Sequence, residues 1–403
     1  MRIVVVGGGI GGLVLAQGLR RRGVEVRVLE RDTDLALTGG YRLHLDPGAC
    51  AVLRRELPAE RWDELESVSA GGGSFTAMHV TDRRLRLLVR VPAEEGEHRL
   101  VGRRPLRLAL AGGLDDVLDL GVRVTGWRAA AGGEVGKGVG GGVVVVTDRG
   151  DLDGDLLVAA DGVGSVVARQ AAGRATSAPI GLVGLAGRVD GLAPHDEGAP
   201  AFLTHGPALA IGPRGTGMFV TRHDVATPLE EPGWVWGLVL ARPVDQDPRT
   251  VLPDALRQMA GWSPWARGMV ASTPADRLGH YRFHAADPHG EMLGWTPGPV
   301  AVLGDAVHAM PPTGGQSAST AIADAGDLLA ALDDVRAGRR TLEAALSRYQ
   351  VLLEARARPR VRESLGPARW VQRTSGPVGS AGVVAAAALV RGMRLLTRRG
   401  DAA

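Results

Sequence analysis

Three glycines and an acid, set among apolar runs, are the first residues of this 403-residue chain whose spacing could do chemistry. The opening MRIVVVGGGIGGLVLAQGLRRRGVEVRVLER places Gly7, Gly9 and Gly12 in a G-x-G-x-x-G spacing directly after the apolar run 2–6. Residues 10–22 are helical in period, with Ile10, Leu13, Val14, Ala16, Gln17 and Leu19 around the helix, and 24–29 read as a second parallel strand. Such glycines allow a tight turn and let the backbone approach a pyrophosphate. The helix N-terminus then offers free N–H groups and the positive end of its dipole. Glu30, eighteen residues past Gly12, is placed to accept hydrogen bonds from the two hydroxyls of an adenosine ribose. This order of elements predicts a dinucleotide site, with Ile10, Gly11 and Arg31 beside the same turn and acid; FAD and NAD both suit it.

Two later stretches carry related chemistry. One is VAADGVGSVVARQ, with Asp161, Gly162 and Ser165; the other is AVLGDAVHAMPPTGGQSASTAIADA, with Gly304, Asp305, His308, Pro311, Pro312, Gly314 and Gly315. Following the first motif in this order, they resemble the single-component (class A) FAD monooxygenases, the p-hydroxybenzoate hydroxylase-like family. GGYRLHLDPGA and RRPLRLAL, the latter an R-x-x-L-x-x-x-L pattern from Arg103, also look like segments of that family. The resemblance covers most of residues 1–365 and is weakest in the middle of the chain.

The resemblance implies that Gly7, Gly9 and Gly12 cradle the FAD pyrophosphate and that Glu30 holds the adenosine ribose. Arg103 would touch the FAD from the side, and Asp161 and Gly162 would lie near the pyrophosphate. Asp305, after Gly304, would bind the ribityl hydroxyls. Pro312, Gly314, Gly315, Gln316, Ser317 and Ala318 would line the flavin. Arg42, Pro312 and Gly315 are the candidates for a catalytic role beside the isoalloxazine, Arg42 being equally readable as a surface arginine. Physical chemistry supports part of this directly. A strand ending in Gly-Asp presents a carboxylate to a polyol, and a helix starting near Gln316 would aim its N-terminal N–H groups at the flavin N1–C2=O edge. Negative charge gathers there on reduction. His308 is expected to be structural rather than a base. The chain departs from the family at Ala168, where arginine is common, and at Ser317 and Ser319, where glycine and asparagine are common.

The reaction implied is reduction of non-covalent FAD by NAD(P)H, addition of O2 to give a C4a-(hydro)peroxyflavin, and transfer of one oxygen atom to an aromatic or polyketide-like small molecule. NADH and NADPH remain open, as do hydroxylation, epoxidation and Baeyer–Villiger insertion. Met218, Trp234 and Trp236, on alternating segments, are candidate substrate contacts; the two tryptophans share one side of a strand and either line a pocket or pack the sheet. Three rivals stand beside this reading. GWVWGLVL is similar to a halogenase signature but lacks its Ile-Pro. A flavin-dependent C=C reductase would share the cofactor site. A catalytically silent FAD-fold partner protein would fit the departures at Ala168, Ser317 and Ser319.

The elements that must position these residues follow from pattern. Residues 35–60 read as a loop and a short helix, 71–100 as strands, 103–120 as a helix, and 122–127 and 143–147 as strands around a glycine-rich hairpin tip holding Lys137, the one lysine. GDLLVAA and PVAVLGDA read as buried strands, and 317–336 and 341–357 as helices. Between 181 and 275, AFLTHGPALAIG, TGMFVTRHD and GWVWGLVLAR alternate as antiparallel strands do. The expected fold is α/β: a Rossmann-like FAD-binding domain (1–70, 101–180, 276–365) with an inserted, mainly antiparallel β-sheet substrate domain (71–100, 181–275) and a C-terminal helical segment (366–403). Net charge is +3, with no basic run interleaved with aromatics, so no nucleic-acid partner is expected. The ten histidines lack metal-ligand spacing, and the one cysteine, Cys50, fits a reducing cytoplasm and a core position. VGSAGVVAAAALVRGMRLL, interrupted by Arg391 and Arg394, is expected to dock on the domain surface, with contact to a membrane surface as the lesser alternative. A monomer or homodimer is expected.

Overall fold

The computed structural model describes all residues except 38–41, 131–141, 193–194, 229, 245–246, 248, 296 and 401–403, and no side chain from 391 onward. The hairpin tip around Lys137 lies outside the described residues. The chain forms two units. One comprises 1–69, 97–178 and 284–365; the other comprises 70–96, 179–283 and 366–403.

The first unit is built on a five-stranded parallel sheet in the order Val300–Val302, Leu156–Ala159, Arg2–Val6, Glu25–Glu30, Leu118–Leu120. Ile3–Val6 and Leu156–Ala159 are runs of Ile, Val, Leu and Ala with almost no exposure, as strands covered on both faces must be. The helix Ile10–Arg21 packs on the helix Ser317–Arg336 at Gly18, where a β-carbon would lie 2.2 Å from Leu329 Cδ1. Glycine there sets the close approach. A second, antiparallel pair joins Arg42–Leu45 to Arg99–Gly102, so the segment expected as a loop contains a strand. Residues 103–120 also differ from expectation: the helix stops at Ala111 and Leu118–Leu120 becomes the sheet's edge strand.

The second unit is a seven-stranded, largely antiparallel sheet in the order Leu278–Ala285, Ala178–Asp190, Gly233–Leu240, Thr216–His223, Ala208–Ile211, Ala77–Asp82, Leu87–Pro92. AFLT of the expected strand AFLTHGPALAIG is instead a single 3-10 turn. One face of the sheet is covered by two helices that the alternating pattern concealed, Val251–Gln258 and Pro264–Ala271. The helix begun near 341 runs on to Arg373, past Pro359 and Pro367.

Candidate functional site

The first strand delivers the chain into Gly7, whose φ of 107° a side chain would strain. A β-carbon there would lie 2.3 Å from Ala160 O, and one on Gly12 would lie 2.1 Å from Gly7 O. These two glycines close the turn itself. Gly9 is different: its nearest neighbour is Ala160 O at 3.9 Å, so the space beside it is left for something else. Gly9 also caps the helix Ile10–Arg21 without a side-chain hydrogen bond. Around this turn lies a cleft of about 200 Å3 bordered by Gly7, Gly9, Glu30, Arg31, Asp32, Arg123 and Asp161–Gly164. The first and second motifs therefore meet in space.

Glu30 is buried and held from three directions. Its Oε2 accepts from Gly8 N at 2.7 Å and lies 2.9 Å from Arg107 Nη2, and its Oε1 accepts from Asp32 N at 2.8 Å. Arg107 also donates to Gly8 O at 2.8 Å and to Asp32 Oδ2 at 3.0 Å. It is thus the residue that ties the loop to the acid, and the sequence reading passed over it. The available signal was its position one helical turn after Arg103, within the same R-x-x-L segment. Arg103 and Arg31 are exposed. Asp161 accepts from Val166 N at 3.0 Å, and burial holds its carboxyl above the usual range.

The third motif is fixed by charges buried beneath it. The strand Val300–Val302 leads to Gly304 at φ 62°, and Asp305 starts a short helix with its carboxylate partly exposed. Gly304 N donates to Asp324 Oδ2 at 3.0 Å, His308 Nε2 lies 2.5 Å from the same oxygen, and Arg356 Nη2 donates to Asp324 Oδ1 at 3.0 Å. His308 and Asp324 are both fully buried. Burial alone would lower the His308 pKa, but the Asp324 charge and hydrogen bond outweigh it and raise it. Burial alone would raise Asp324, but His308 and Arg356 outweigh it and lower it. His308 is therefore a partner of Asp324 beneath the turn, enclosed away from solvent.

After Asp305, Pro312–Gly314 makes a 3-10 turn, and Gly315 takes a left-handed conformation at φ 65°. Thr313 Oγ1 donates to Ser364 O at 2.6 Å, and a β-carbon on Gly314 would lie 2.2 Å from Ser364 Oγ. Pro312 and Gly315 remain exposed. The helix Ser317–Arg336 then starts with no side-chain cap at Gln316, leaving its first-turn N–H groups available. Of the three departures from the family, the two in this segment each make a side-chain contact. Ser317 Oγ donates to Asp305 Oδ1 at 2.7 Å. Ser319 Oγ donates to His44 O at 3.3 Å and accepts from Asp46 N at 3.1 Å. The latter joins this helix to the strand that begins with Arg42, which is buried and pairs in register with Gly102, next to Arg103. On the same strand pair, His44 Nε2 lies 2.8 Å from His98 Nδ1. Burial, then the neighbouring His98, push the His44 pKa down to about 4. Burial likewise pushes the Cys50 thiol up to about 12, which suits a core residue.

The structure thus brings Gly7–Gly12, Glu30, Asp161, Gly162 and the Gly304–Ala318 segment onto one unit. The glycine loop meets the third motif at Gly11, where a β-carbon would lie 2.6 Å from Leu303 Cδ1 and 3.2 Å from Ala321 Cβ. An extended dinucleotide fits these residues: open space at Gly9, two uncapped helix N-termini, a buried acid at one end and a partly exposed carboxylate at the other. Met218, Trp234 and Trp236 correct the expectation of substrate contact. All three are buried in the sheet's core on the face covered by the two helices, Trp236 Nε1 donating to Thr273 Oγ1 at 2.9 Å and Trp234 Nε1 to Asp196 Oδ1 at 3.1 Å. Among the described residues, no group of three or more His, Cys, Asp or Glu side chains gathers as a metal site.

Comparison with known proteins agrees with this geometry. Residues 136–364 match the family model described as FAD binding domain, and residues 5–48 match one described as NAD(P)-binding Rossmann-like domain. The aurachin C monooxygenase/isomerase of Stigmatella aurantiaca is 28% identical over 382 residues, covering 89% of this chain and 86% of that protein. An FAD-dependent urate hydroxylase of Mycolicibacterium vanbaalenii is 27% identical, covering 89% and 88%. The structure of Klebsiella pneumoniae HpxO with FAD and uric acid has a TM-score of 0.74 at 23% identity, covering all of this chain and 96% of that one. With the FAD-binding model spanning more than half of its length, the chain belongs to the FAD-binding-domain family of flavin-dependent monooxygenases.

Proposed function

We propose that this flavoprotein uses NAD(P)H and O2 to insert one oxygen atom into an apolar aromatic or polyketide-like small molecule, the second oxygen atom leaving as water. The observation that carries the reading is the convergence of all three motifs on one unit, with a cleft at the glycine loop and a carboxylate and an uncapped helix N-terminus at the other end. Bound FAD supplies acceptance of hydride from NAD(P)H and activation of O2. The protein's own residues bind and orient. Glu30, held by Arg107, would accept from the adenosine ribose; the backbone at Gly9 would approach the pyrophosphate; Asp305 would accept from the ribityl chain. The N-terminus of the helix Ser317–Arg336 would favour negative charge on the flavin ring, and Pro312, Gly315 and Arg42 would border that ring.

The substrate class follows from the sheet. Its helix-covered face is filled by Met218, Trp234 and Trp236, so the opposite face is the one proposed for substrate. Register places Val80, Leu209, Phe219 and Gly237 side by side there, each only partly buried. An apolar row of this kind suits an aromatic hydrocarbon surface better than a densely polar purine, whose donors and acceptors would lose their water partners.

The test uses purified yellow protein, reduced by NADH or NADPH without air and mixed rapidly with O2 while flavin absorbance is followed. A transient spectrum distinct from both reduced and oxidised flavin supports oxygen transfer. Direct reoxidation without it, also in the presence of aromatic ligands, points to the C=C reductase. Flavin that neither nicotinamide reduces, with or without aromatic ligands, points to the silent partner. Protein without flavin defeats the reading.

A further inference from the structure

The segment VGSAGVVAAAALVRGMRLL, expected to dock on the domain surface, lies in the helix Pro377–Gly400, and the described side chains of that helix dock along a narrow line. Val383, Ala387 and Val390, spaced as one helical face, are partly buried, and the helix runs beside the strand Leu87–Pro92. Ser380 anchors its start, accepting from Arg214 N at 2.8 Å and donating to Thr374 O at 2.7 Å. Most of the other residues from 377 to 390 lie in water. Val378 is 87% exposed and Leu389 66%, and Ala381, Val384, Ala385, Ala386 and Ala388 are exposed with them. Residues 377–390 contain no charged side chain. Apolar exposure of this extent on a helix marks a surface with a partner. Val89 and Val91 of the adjacent strand are exposed too.

The sequence around the helix identifies the partner's chemistry. Residues 366–400 contain six arginines, at 369, 373, 391, 394, 398 and 399, and no Asp or Glu. A second copy of the chain, meeting this helix across a two-fold axis, would set arginine-rich segments against one another, which like charge disfavours. An anionic lipid surface complements both features, taking the apolar side chains at the headgroup–acyl boundary and the arginines at the headgroups. Trp370, 55% exposed in the last turn of the preceding helix, has the amphipathic ring suited to that boundary. Among the described residues no helix is long and apolar enough to cross a membrane.

We infer that the helix Pro377–Gly400 is an interfacial anchor that seats the protein on an anionic bilayer surface. The inference does not rest on the flavin reading. The test sediments the FAD-loaded full chain with vesicles of phosphatidylcholine plus phosphatidylglycerol, and with vesicles of phosphatidylcholine alone. The expected result is binding to the anionic vesicles, weakened by high salt, with much less binding to the neutral ones. The double variant Val384→Glu/Leu389→Glu, at exposed positions, should lower partitioning about tenfold or more, with flavin content and thermal midpoint unchanged. Three results overturn the inference: no binding of the parent protein to either vesicle, binding that the double variant leaves intact, or self-association of the parent that the variant abolishes while vesicle binding is absent.

Discussion

Arg107 and Glu30 form an ion pair in which both side chains are almost completely hidden from water, 6% and 8% exposed. Removing one partner of such a pair costs far more than the pair itself contributes, because the other charge stays buried. Arg107→Met should therefore loosen Glu30 and weaken FAD binding about 10- to 100-fold, as measured by flavin titration of the apoprotein. Arg107→Lys should recover only part of this, since Nε, Nη1 and Nη2 each have their own acceptor. A pH effect belongs to His44. Its pKa is lowered from about 6.5 unfolded to about 4 folded. Below pH 6.5 the unfolded chain takes up a proton that the folded chain refuses, so the stability His44 provides is present above that pH and lost on acidification. The loss is about 1.4 kcal/mol per pH unit, or roughly 3 kcal/mol by pH 4. Urea melts of the parent and His44→Gln between pH 4 and 7 should show a shallower decline in the variant; equal slopes would remove His44 as the cause.

Glycines that shape an element and glycines that leave room for a ligand are separable by substitution. Gly12→Ala puts a methyl 2.1 Å from Gly7 O, backbone that cannot swing aside, and should lower thermal stability and flavin content together. Gly9→Ala meets nothing closer than 3.9 Å in the protein. It should keep the apoprotein's melting temperature while cutting flavin occupancy, and an equal loss of both in the two variants would refute the distinction. The network under the Gly304 turn predicts a third outcome. Asp324→Leu removes the carboxylate partner of buried His308 and leaves Arg356 with Asp327 alone, 2.7 Å from its Nη1, and should cost about 3–5 kcal/mol in denaturant unfolding. Elements with local signals were readable from sequence: the helix 317–336 and the strands 2–6 and 143–147 have the limits that their periodicity gave. Others depend on distant partners. RLHL becomes a strand because Arg99–Gly102 lies beside it, more than fifty residues away. The helices at 251–271 hide in a segment of alternating strands, although Pro264 at a helix start was a usable signal. The helical pattern read over 341–357 continues past Pro359 and Pro367, where Val361, Leu365, Ala368 and Val371 are buried.

On the scale of the whole chain, the candidate cofactor site is assembled from segments far apart in sequence. The strands 2–6, 156–159 and 300–302 lie side by side, so each motif ends on the same edge of one sheet. The motifs were legible because each is local, and their adjacency followed from the family pattern. Arg107, Asp324 and Arg356 were not legible, because their roles exist only once the strands are paired. A ligand that spans such a site binds the folded chain and not the unfolded one, so it stabilises the fold by mass action. At a free concentration of 100 times Kd this amounts to about 2.7 kcal/mol. In Arg107→Met, a 100-fold weaker Kd would reduce the gain at the same concentration to about 0.4 kcal/mol. For a unit of roughly 200 residues, each kcal/mol corresponds to about 2–4 °C. The apoprotein's melting temperature should therefore rise by about 5–10 °C with FAD in that excess and by only a degree or two in the variant. FMN, which lacks the adenylate half, should stabilise parent and variant alike and only weakly, because Glu30 and Arg107 have nothing of it to hold and Gly9 meets one phosphate in place of two. A parent protein that FMN stabilises as strongly as FAD would show that the glycine loop does not serve the cofactor.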